Sequence, residues 1–270
     1  DLLSSTPRQI RVYQAMGVKL EDYPVFAHLP FVMGQDNAKL SKRNGEVSIA
    51  WYREMGFLPE AICNYLALLG WSPGDDLENI TMKQLTEMFT VEKVHSSPAR
   101  FDMKKLEAIN GDKIRALTLD DFLKWSLPFL TKADVITGTD AEIELVKKAL
   151  PIIQERIIML NEVPKMLKFL FTKNFAVEAE SVSKITDDAS KEILKRSVKE
   201  LETVSDWTHT NIEAVLRASL IEEMALKPRI AFTALRIATT GSTISPPLFE
   251  SMELLGKEAC LLRINAGLAL

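Results

Sequence analysis

The chain has 270 residues, a net charge of −4 and an isoelectric point near 5.6, with 47% apolar and 26% charged residues. This composition predicts a globular protein of two or three domains without an overall positive field, so any site for a polyanion must be a local patch. No apolar run approaches the roughly 18 residues of a spanning helix and no signal peptide is apparent, so we expect a cytoplasmic protein with no membrane partner.

The first predicted elements are a helix, a strand and a basic loop. A Ser/Thr cap followed by Pro7 predicts a helix over residues 5–16. The segment from Pro24 to Gly34 is dense in β-forming residues and bounded by proline and glycine, which predicts a buried strand. A polar loop with the string Lys39-Leu40-Ser41-Lys42-Arg43 then follows, with Asn44-Gly45 behind it.

The next predicted element is a helix from Pro59 to Leu69, with Glu60 in its first turn and Gly70 after its end. It is apolar nearly all round, so we expect it to be buried, including Cys63. The two cysteines, Cys63 and Cys260, are far apart and have no Cys or His neighbours. This excludes a disulfide framework and a zinc site and is typical of a reducing cytosol. The three histidines also stand apart, so no metal site is predicted. Further helices are predicted near 81–88 and 102–109.

The half beyond about residue 118 lacks strand-like alternation and is predicted to be entirely helical. An apolar seam over 141–160 predicts one amphipathic helix, or two helices joined at Pro151. The domain boundaries are predicted at 1–45, 46–118 and 119–270, and a connector at 177–188 is a candidate division of the last part. Later helices are predicted at 189–204, 211–226, 229–239 and 246–255.

The basic string at residues 39–43 can serve nucleotide chemistry. Lys39, Lys42 and the hydroxyl of Ser41 can be aimed at the charge that grows on phosphate oxygens during adenylyl transfer, which lowers the barrier. The alternative is an ordinary solvated basic turn, and the string alone favours that alternative. The neighbouring sequence therefore decides between the two interpretations.

Several segments along the chain carry a resemblance to a known family. They are Asp1–Gln9, Pro24–Pro30, Lys39–Arg43, Gly56–Ala61, Asn64–Ser72, Phe101–Asp102, Lys227–Arg229, Pro246–Glu250 and Leu254–Glu258. Together they resemble the bacterial-type glutamyl-tRNA synthetases, which belong to class I of the aminoacyl-tRNA synthetases. The match is most specific between residues 24 and 72, where the string at 39–43 is similar to the family's KMSKS-type ATP loop.

The resemblance implies a mainly α fold in three parts. These are the end of a Rossmann-type α/β catalytic domain (1–45), a stem-contact α/β module (46–118) and an all-helical anticodon-binding domain (119–270). It implies a ligase that activates glutamate with ATP and Mg²⁺ and transfers it to tRNA-Glu. In that reaction Lys42 would stabilise the phosphate charge, assisted by Lys39 and Ser41, while Leu40 and Arg43 complete the ATP-binding loop. The family's HIGH-type motif does not occur in these 270 residues, so we expect a C-terminal portion of the enzyme that does not catalyse alone. We also expect the protein to be a monomer.

A local positive patch is predicted near the end of the chain. No acidic residue occurs from Met224 to Phe249, whereas Lys227, Arg229 and Arg236 do. Arg229 and Arg236 are seven residues apart, which places them on one helix face. This face is either an ordinary basic rim or a contact for tRNA phosphates and unpaired bases, and the resemblance favours tRNA. We expect further donors from Thr233, Thr239, Thr240 and Ser242.

Other candidate tRNA contacts are Arg156, Lys104 and Lys105. Arg156 flanks the buried seam and by analogy could read a base edge, but an ion pair with Glu155 or Glu162 is an equal alternative. Lys104 and Lys105, together with Lys113 and Arg115, are candidates for contact with the inner stem of the tRNA. The nearby acids Glu107, Asp112 and Asp120 favour the alternative, a solvated surface. At the level of the whole chain, the alternatives are a non-catalytic tRNA-binding or interaction module and a fragment of a glutaminyl-tRNA ligase.

Overall fold

The computed structural model describes residues 2–34, 38–40, 48–74 and 77–270. The chain divides into two units, Asp1–Lys113 and Ile114–Leu270. Both units are mainly helical in their described residues, as the sequence predicts. None of the described helices is long and apolar enough to cross a membrane.

The described part of the first unit contains short helices and one pair of two-residue strands. The strands run parallel, with Val32 opposite Ala99 and Met33 opposite Arg100. The elements are α1 (Thr6–Ala15), β1 (Val32–Met33), α2 (Ile49–Met55), α3 (Pro59–Leu68), α4 (Met82–Met88), β2 (Ala99–Arg100) and α5 (Met103–Arg115), with 3₁₀ turns at Leu3–Ser5, Leu20–Asp22 and Val91–Lys93.

The predicted strand from Pro24 to Gly34 is wrong over most of its length, because only Val32–Met33 is a strand. Pro24 and Pro30 have no backbone N–H and so cannot donate to a ladder. The β-forming residues between them are also not buried, since the side chain of Val25 is 98% exposed. Dense β-propensity therefore did not compensate for the missing pairing partner.

Helix α3 begins at the predicted proline, but it is not buried all round. Ala61 and Tyr65 face the core, whereas Leu66 is half-exposed and Cys63 is exposed, so the expectation of a buried Cys63 is wrong. The buried side of α3 contains a polar link: Asn64 Oδ1 accepts from the backbone N–H of Ile80 at 2.8 Å, and its Nδ2 donates to the carbonyl of Glu78. These bonds satisfy a buried amide and hold the loop before α4 against α3.

The second unit is built from helices α6 to α15. Each predicted helix in this half has a counterpart, but the predicted helix 211–226 changes type after Leu216, and a π-helix begins at Arg217. The elements are α6 (Leu119–Lys132), α7 (Asp140–Ala149), α8 (Pro151–Gln154), a 3₁₀ turn (Leu160–Glu162), α9 (Val163–Phe171), α10 (Ala179–Val182), α11 (Asp188–Glu202), α12 (His209–Leu216), the π-helix (Arg217–Glu223), α13 (Pro228–Thr240), α14 (Leu248–Leu255) and α15 (Lys257–Leu268).

The seam at 141–160 forms two helices, α7 and α8, that are divided at Pro151. Proline has no N–H for the helical ladder, so the chain starts a new helix there. Val146, Leu150, Ile153 and Ile157 are fully buried, as the periodicity predicts. The core of α11 to α15 lies further along the chain and is formed by residues such as Leu194, Leu216, Leu235, Met252 and Ile264.

Candidate nucleotide loop and nucleic-acid interface

The basic string at 39–43 starts beside strand β1. The chain leaves β1 at Gly34, whose N–H donates to the carbonyl of Ala38 at 2.8 Å, and returns so that the N–H of Leu40 donates to the carbonyl of Val32 at 2.9 Å. Lys39 forms an antiparallel bridge with Met33. The loop is therefore tied at its base to the strand that precedes it. Ser41, Lys42 and Arg43 lie outside the described residues.

Lys39 and Leu40 point to different environments. The Lys39 ammonium lies 4.7 Å from the centroid of the Phe31 ring, in a cation–π contact at the surface. Leu40 lines an apolar cavity of about 140 Å³ together with Val32, Tyr52 and Phe101. An apolar anchor next to an exposed cation is an arrangement that can hold a loop while presenting charge to a phosphate group.

The candidate stem contacts on α5 differ strongly from one another. Lys104 is exposed, whereas the Nζ atom of Lys105 pairs with Oε1 of Glu78 at 2.6 Å. Lys113 is only 7% exposed, and its Nζ donates to the carbonyl of Ile80 at 2.7 Å. Burial lowers the pKa of Lys113, so the expected solvated surface does not extend to this residue. Lys104 is the member of this group that is most open to a ligand.

The positive patch is arranged around the start of α13. Lys227 caps this helix, Pro228 occupies its first position, and Lys227 and Arg229 are both exposed. In contrast, Arg236 is half-buried: its Nη1 donates to Ser245 Oγ at 2.7 Å and to the carbonyl of Pro246 at 2.6 Å. The two arginines therefore differ in their surroundings, and Arg236 holds the loop that precedes α14.

Arg156 and Arg236 belong to the same electrostatic neighbourhood. The pKa of Arg236 is lowered, first by burial and then by the positive charge of Arg156. Arg156 is exposed. Within the described part of the chain it forms an ion pair neither with Glu155 or Glu162 nor with any other acid. Its guanidinium is thus not neutralised by a protein carboxylate.

The hydroxyl groups expected as extra donors on α13 are already engaged. Thr233, Thr239 and Thr240 each donate to the carbonyl four residues earlier, at 2.6, 2.7 and 2.7 Å. A hydroxyl has a single proton, so these oxygens remain available only as acceptors. The cations, and not the threonines, carry the donor capacity of this surface.

A cavity near this surface was not predicted from the sequence. It has a volume of about 530 Å³ and lies between α9, the loop before α10 and the loop after α13. Ser245, the residue bound by Arg236, is part of its lining. Other lining residues include Lys165, Lys168, Asn174, Phe175 and Ser242. The two lysines lie far from the acid-free stretch in sequence, so charge patterning alone could not associate them with it.

Arg263 contacts Phe169 and Phe175 of this cavity's lining and is only 7% exposed, and no acid among the described residues pairs with it. Its Nη1 donates to the carbonyl of Thr239 and its Nη2 to that of Phe169, each at 2.8 Å, and its guanidinium lies 4.0 Å from the centroid of the Phe175 ring. Burial lowers its pKa. The only hint in the sequence is one arginine in the otherwise apolar middle of α15. With regard to metals, no three His, Cys, Asp or Glu side chains converge among the described residues.

Two segments of the chain match known family models. Residues 1–108 match the catalytic domain of class I tRNA synthetases (E and Q), and residues 111–268 match the anticodon binding domain. A helical anticodon-binding domain behind a class I catalytic domain defines an aminoacyl-tRNA synthetase of class I.

Similar proteins narrow this class to one family. The chain is 45% identical to a glutamate–tRNA ligase of Saccharopolyspora erythraea over 99% of this chain and 54% of that protein, and 46% identical to one of Arthrobacter sp. (strain FB24) over 98% and 54%. The chain belongs to the glutamate–tRNA ligase family, of which it represents a C-terminal portion. This confirms the resemblance to glutamyl-tRNA synthetases.

A solved structure agrees with this assignment. The crystal structure of a glutamate tRNA ligase from Elizabethkingia meningosepticum, in complex with its amino acid, matches with a TM-score of 0.79 and 25% identity, over 99% of this chain and 55% of that one. The chain thus spans about half the length of the relatives it matches. The family models meet between residues 108 and 111, and the structural units meet at Lys113. The predicted boundaries at 45/46, at 118/119 and within 177–188 stay predictions.

Proposed function

We propose that this chain is the tRNA-binding portion of a cytoplasmic, monomeric glutamate–tRNA ligase, and that its second unit binds the anticodon arm of tRNA-Glu. The observation that carries the proposal is the exposure of Lys227 and Arg229 at the start of α13. They lie in the acid-free stretch from Met224 to Phe249, inside a segment that matches an anticodon binding domain. Exposed cations in a stretch without acidic residues attract phosphate groups even when the whole protein is acidic.

The other cations have distinct roles in this proposal. No acid among the described residues pairs with Arg156, so its planar guanidinium is available to bond a base edge at two points. Arg236 keeps the Ser245–Pro246 loop in place and adds positive charge behind it. Lys165 and Lys168 line a cavity large enough for one unstacked nucleotide, which is the form in which RNA loops are usually recognised. Lys104 and Lys105 are assigned to the tRNA stem, with Lys105 already paired to Glu78.

The catalytic part of the proposal concerns the loop at 39–43. Lys42, with Lys39 and Ser41, would place donors on the phosphates of ATP, while Leu40 anchors the loop and Arg43 braces it. In the complete reaction the glutamate carboxylate attacks the α-phosphate of ATP, pyrophosphate leaves and glutamyl adenylate forms. A hydroxyl of the 3′-terminal ribose of the tRNA then attacks the glutamyl carbonyl carbon, and AMP leaves. Magnesium would be carried mainly by the ATP phosphates, where it neutralises charge, as is usual for nucleotide-bound Mg²⁺.

The test of the tRNA proposal is a titration of the 270-residue chain with a tRNA-Glu transcript at several salt concentrations. Each lost phosphate contact should reduce the slope of log K against log salt by about one. Lys227→Gln and Arg229→Gln are each expected to show this loss. Lys148→Gln, an exposed lysine on α7, is the matched control and should leave the slope unchanged. Equal slopes for all four proteins would contradict the proposal.

A further inference from the structure

The segment that leads into the positive patch is a π-helix, Arg217–Glu223. Its backbone bonds span five residues or more: the N–H of Met224 donates to the carbonyl of Ser219, and that of Leu226 to the carbonyl of Leu220, each at 3.1 Å. π-Helical segments are rare and are frequently found at functional sites. Relative to an α-helix, one extra residue per turn rotates everything that follows by roughly 100°. The π-helix therefore sets the direction from which the chain reaches Lys227.

One side chain of the neighbouring helix α11 clamps the π-helix. Arg196 Nε donates to Ser219 Oγ at 2.6 Å, and its Nη2 donates to the carboxylate of Glu223. Ser219 is also the residue whose carbonyl accepts the hydrogen bond from the N–H of Met224, five residues later, and Glu223 is the last residue of the π-helix. Glu200, one turn after Arg196 on α11, holds Nε at 3.2 Å and so fixes the guanidinium. Only the Ser219 end of the clamp is dry: Ser219 is 2% exposed, whereas the side chains of Arg196 and Glu223 are 30% and 62% exposed.

The path from the π-helix to the patch is short and stiff. Ala225 has a φ of 53°, a left-handed conformation that turns the chain, and Pro228 then fixes the first residue of α13. At the other end of the π-helix, Arg217 bonds Glu213 at 2.6 Å and lies 5.6 Å from the centroid of the Phe232 ring on α13. A change in the π-helix is therefore transmitted to Lys227 and Arg229 instead of being absorbed by a loose loop.

We propose that Arg196 is a positioning residue for tRNA binding: it acts through the π-helix to present Lys227 and Arg229 to RNA phosphates. This inference rests on the proposed function. A guanidinium is suited to this task because its planar fork can hold Ser219 and Glu223 together, which a lysine ammonium on a flexible stem cannot do in the same geometry.

The test uses the 270-residue chain and a tRNA-Glu transcript, again over a range of salt concentrations. Arg196→Gln is expected to weaken binding roughly five- to tenfold for each phosphate contact it disturbs at about 0.1 M salt, and to lower the salt slope by about one per contact. Ser219→Ala, which leaves the net charge unchanged, should shift both quantities in the same direction. The matched control is Lys195→Gln, which removes one charge from the exposed side of α11 and should change neither.

A double-substitution series separates positioning from other roles. If Arg196 acts through the patch, Arg196→Gln should have no further effect in a chain that already carries Lys227→Gln and Arg229→Gln. An equal loss in both backgrounds, or full rescue by Arg196→Lys, would mean that Arg196 itself contacts RNA and would overturn the inference. Circular dichroism checks that each variant is folded. If Arg196→Gln does not fold, Ser219→Ala takes its place, and its effect on tRNA binding is compared in the same two backgrounds.

The same series distinguishes this inference from the proposed function. If Lys227→Gln and Arg229→Gln leave tRNA binding unchanged, the proposed contact fails, and the positioning role fails with it. If they weaken binding while Arg196→Gln and Ser219→Ala do not, only the positioning role is contradicted.

Discussion

Arg263 shows how one buried cation can be stabilised without a carboxylate. The two carbonyls that accept from it belong to Thr239, in the last turn of α13, and Phe169, in the last turn of α9. Helix C-termini expose unpaired carbonyls and the negative end of the macrodipole, so two helix ends replace the missing acid. The Phe175 ring covers one face of the guanidinium. Arg263 thereby joins α9, α13 and α15 beside the cavity that contains Lys165 and Lys168.

Arg263→Met is expected to lower the free energy of unfolding by about 2–4 kcal/mol, because it leaves two buried carbonyls without donors. Urea denaturation followed by tryptophan fluorescence measures this difference. Arg229→Met, at an exposed position, is the control and should change stability by less than about 0.5 kcal/mol. A loss of similar size in both variants would contradict the role assigned to Arg263.

At the scale of single residues, the sequence shows which side chains are basic, but not which of them are engaged in contacts within the protein. Lys105 and Lys113 were assigned with Lys104 to one basic surface, yet Glu78 and the carbonyl of Ile80 engage them from about 30 residues earlier in the chain. Arg229 and Arg236 lie on the same helix, and only the loop at Ser245 and Pro246 makes them different. Pairing partners that are distant in sequence leave no local pattern, so these uses required the structure.

At the scale of single elements, the start of α7 is held by one carboxylate. Glu142 Oε2 accepts from the backbone N–H groups of Thr137, Gly138 and Thr139 at 3.0, 2.9 and 2.9 Å. In return, Thr139 Oγ1 accepts from the backbone N–H of Glu142, which completes a capping box. These bonds, foremost that from the Thr139 backbone, lower the pKa of Glu142 from 4.5 to about 2. The ionised form is therefore favoured by folding.

This capping box predicts that the stability of the folded chain depends on pH in a specific way. Because the folded pKa lies below the unfolded one, the stabilisation is fully present above about pH 4.5 and is lost as the pH falls towards 2. Glu142→Gln should lower the melting temperature at pH 7, and the difference from the unsubstituted chain should shrink towards pH 2. Thermal unfolding across this range measures it, with Glu192→Gln, an exposed acid on α11, as control. A difference that stays constant with pH would refute the assignment.

The helices were predicted well where a local signal marks their ends. Pro59 begins α3, Pro151 divides α7 from α8, and Gly256 ends α14. The strand at 24–34 failed because strand formation depends on a partner, here Ala99–Arg100, that is not adjacent in the sequence. The π-helix was missed since its apolar pattern resembles an ordinary helix, and its stabilising residue, Arg196, lies on another element.

At the scale of the whole molecule, the family assignment leads to a prediction about the catalytic activity of the isolated chain. These 270 residues contain the loop at 39–43 but no HIGH-type motif, which supplies the other half of the ATP site in class I synthetases. We therefore expect no ATP–pyrophosphate exchange from the 270-residue chain in the presence of glutamate and Mg²⁺. A full-length glutamate–tRNA ligase serves as the positive control, and exchange above background by the purified chain would contradict this expectation.

The most direct test of the central claim is a competition between two RNA fragments for the tRNA-Glu site. A stem-loop that carries the tRNA-Glu anticodon arm and a minihelix of its acceptor stem are each titrated against labelled tRNA-Glu bound to the chain. If the second unit binds the anticodon arm, the stem-loop should displace the tRNA, and Lys227→Gln with Arg229→Gln should weaken that displacement. Displacement by the acceptor minihelix and not by the anticodon stem-loop would contradict the account.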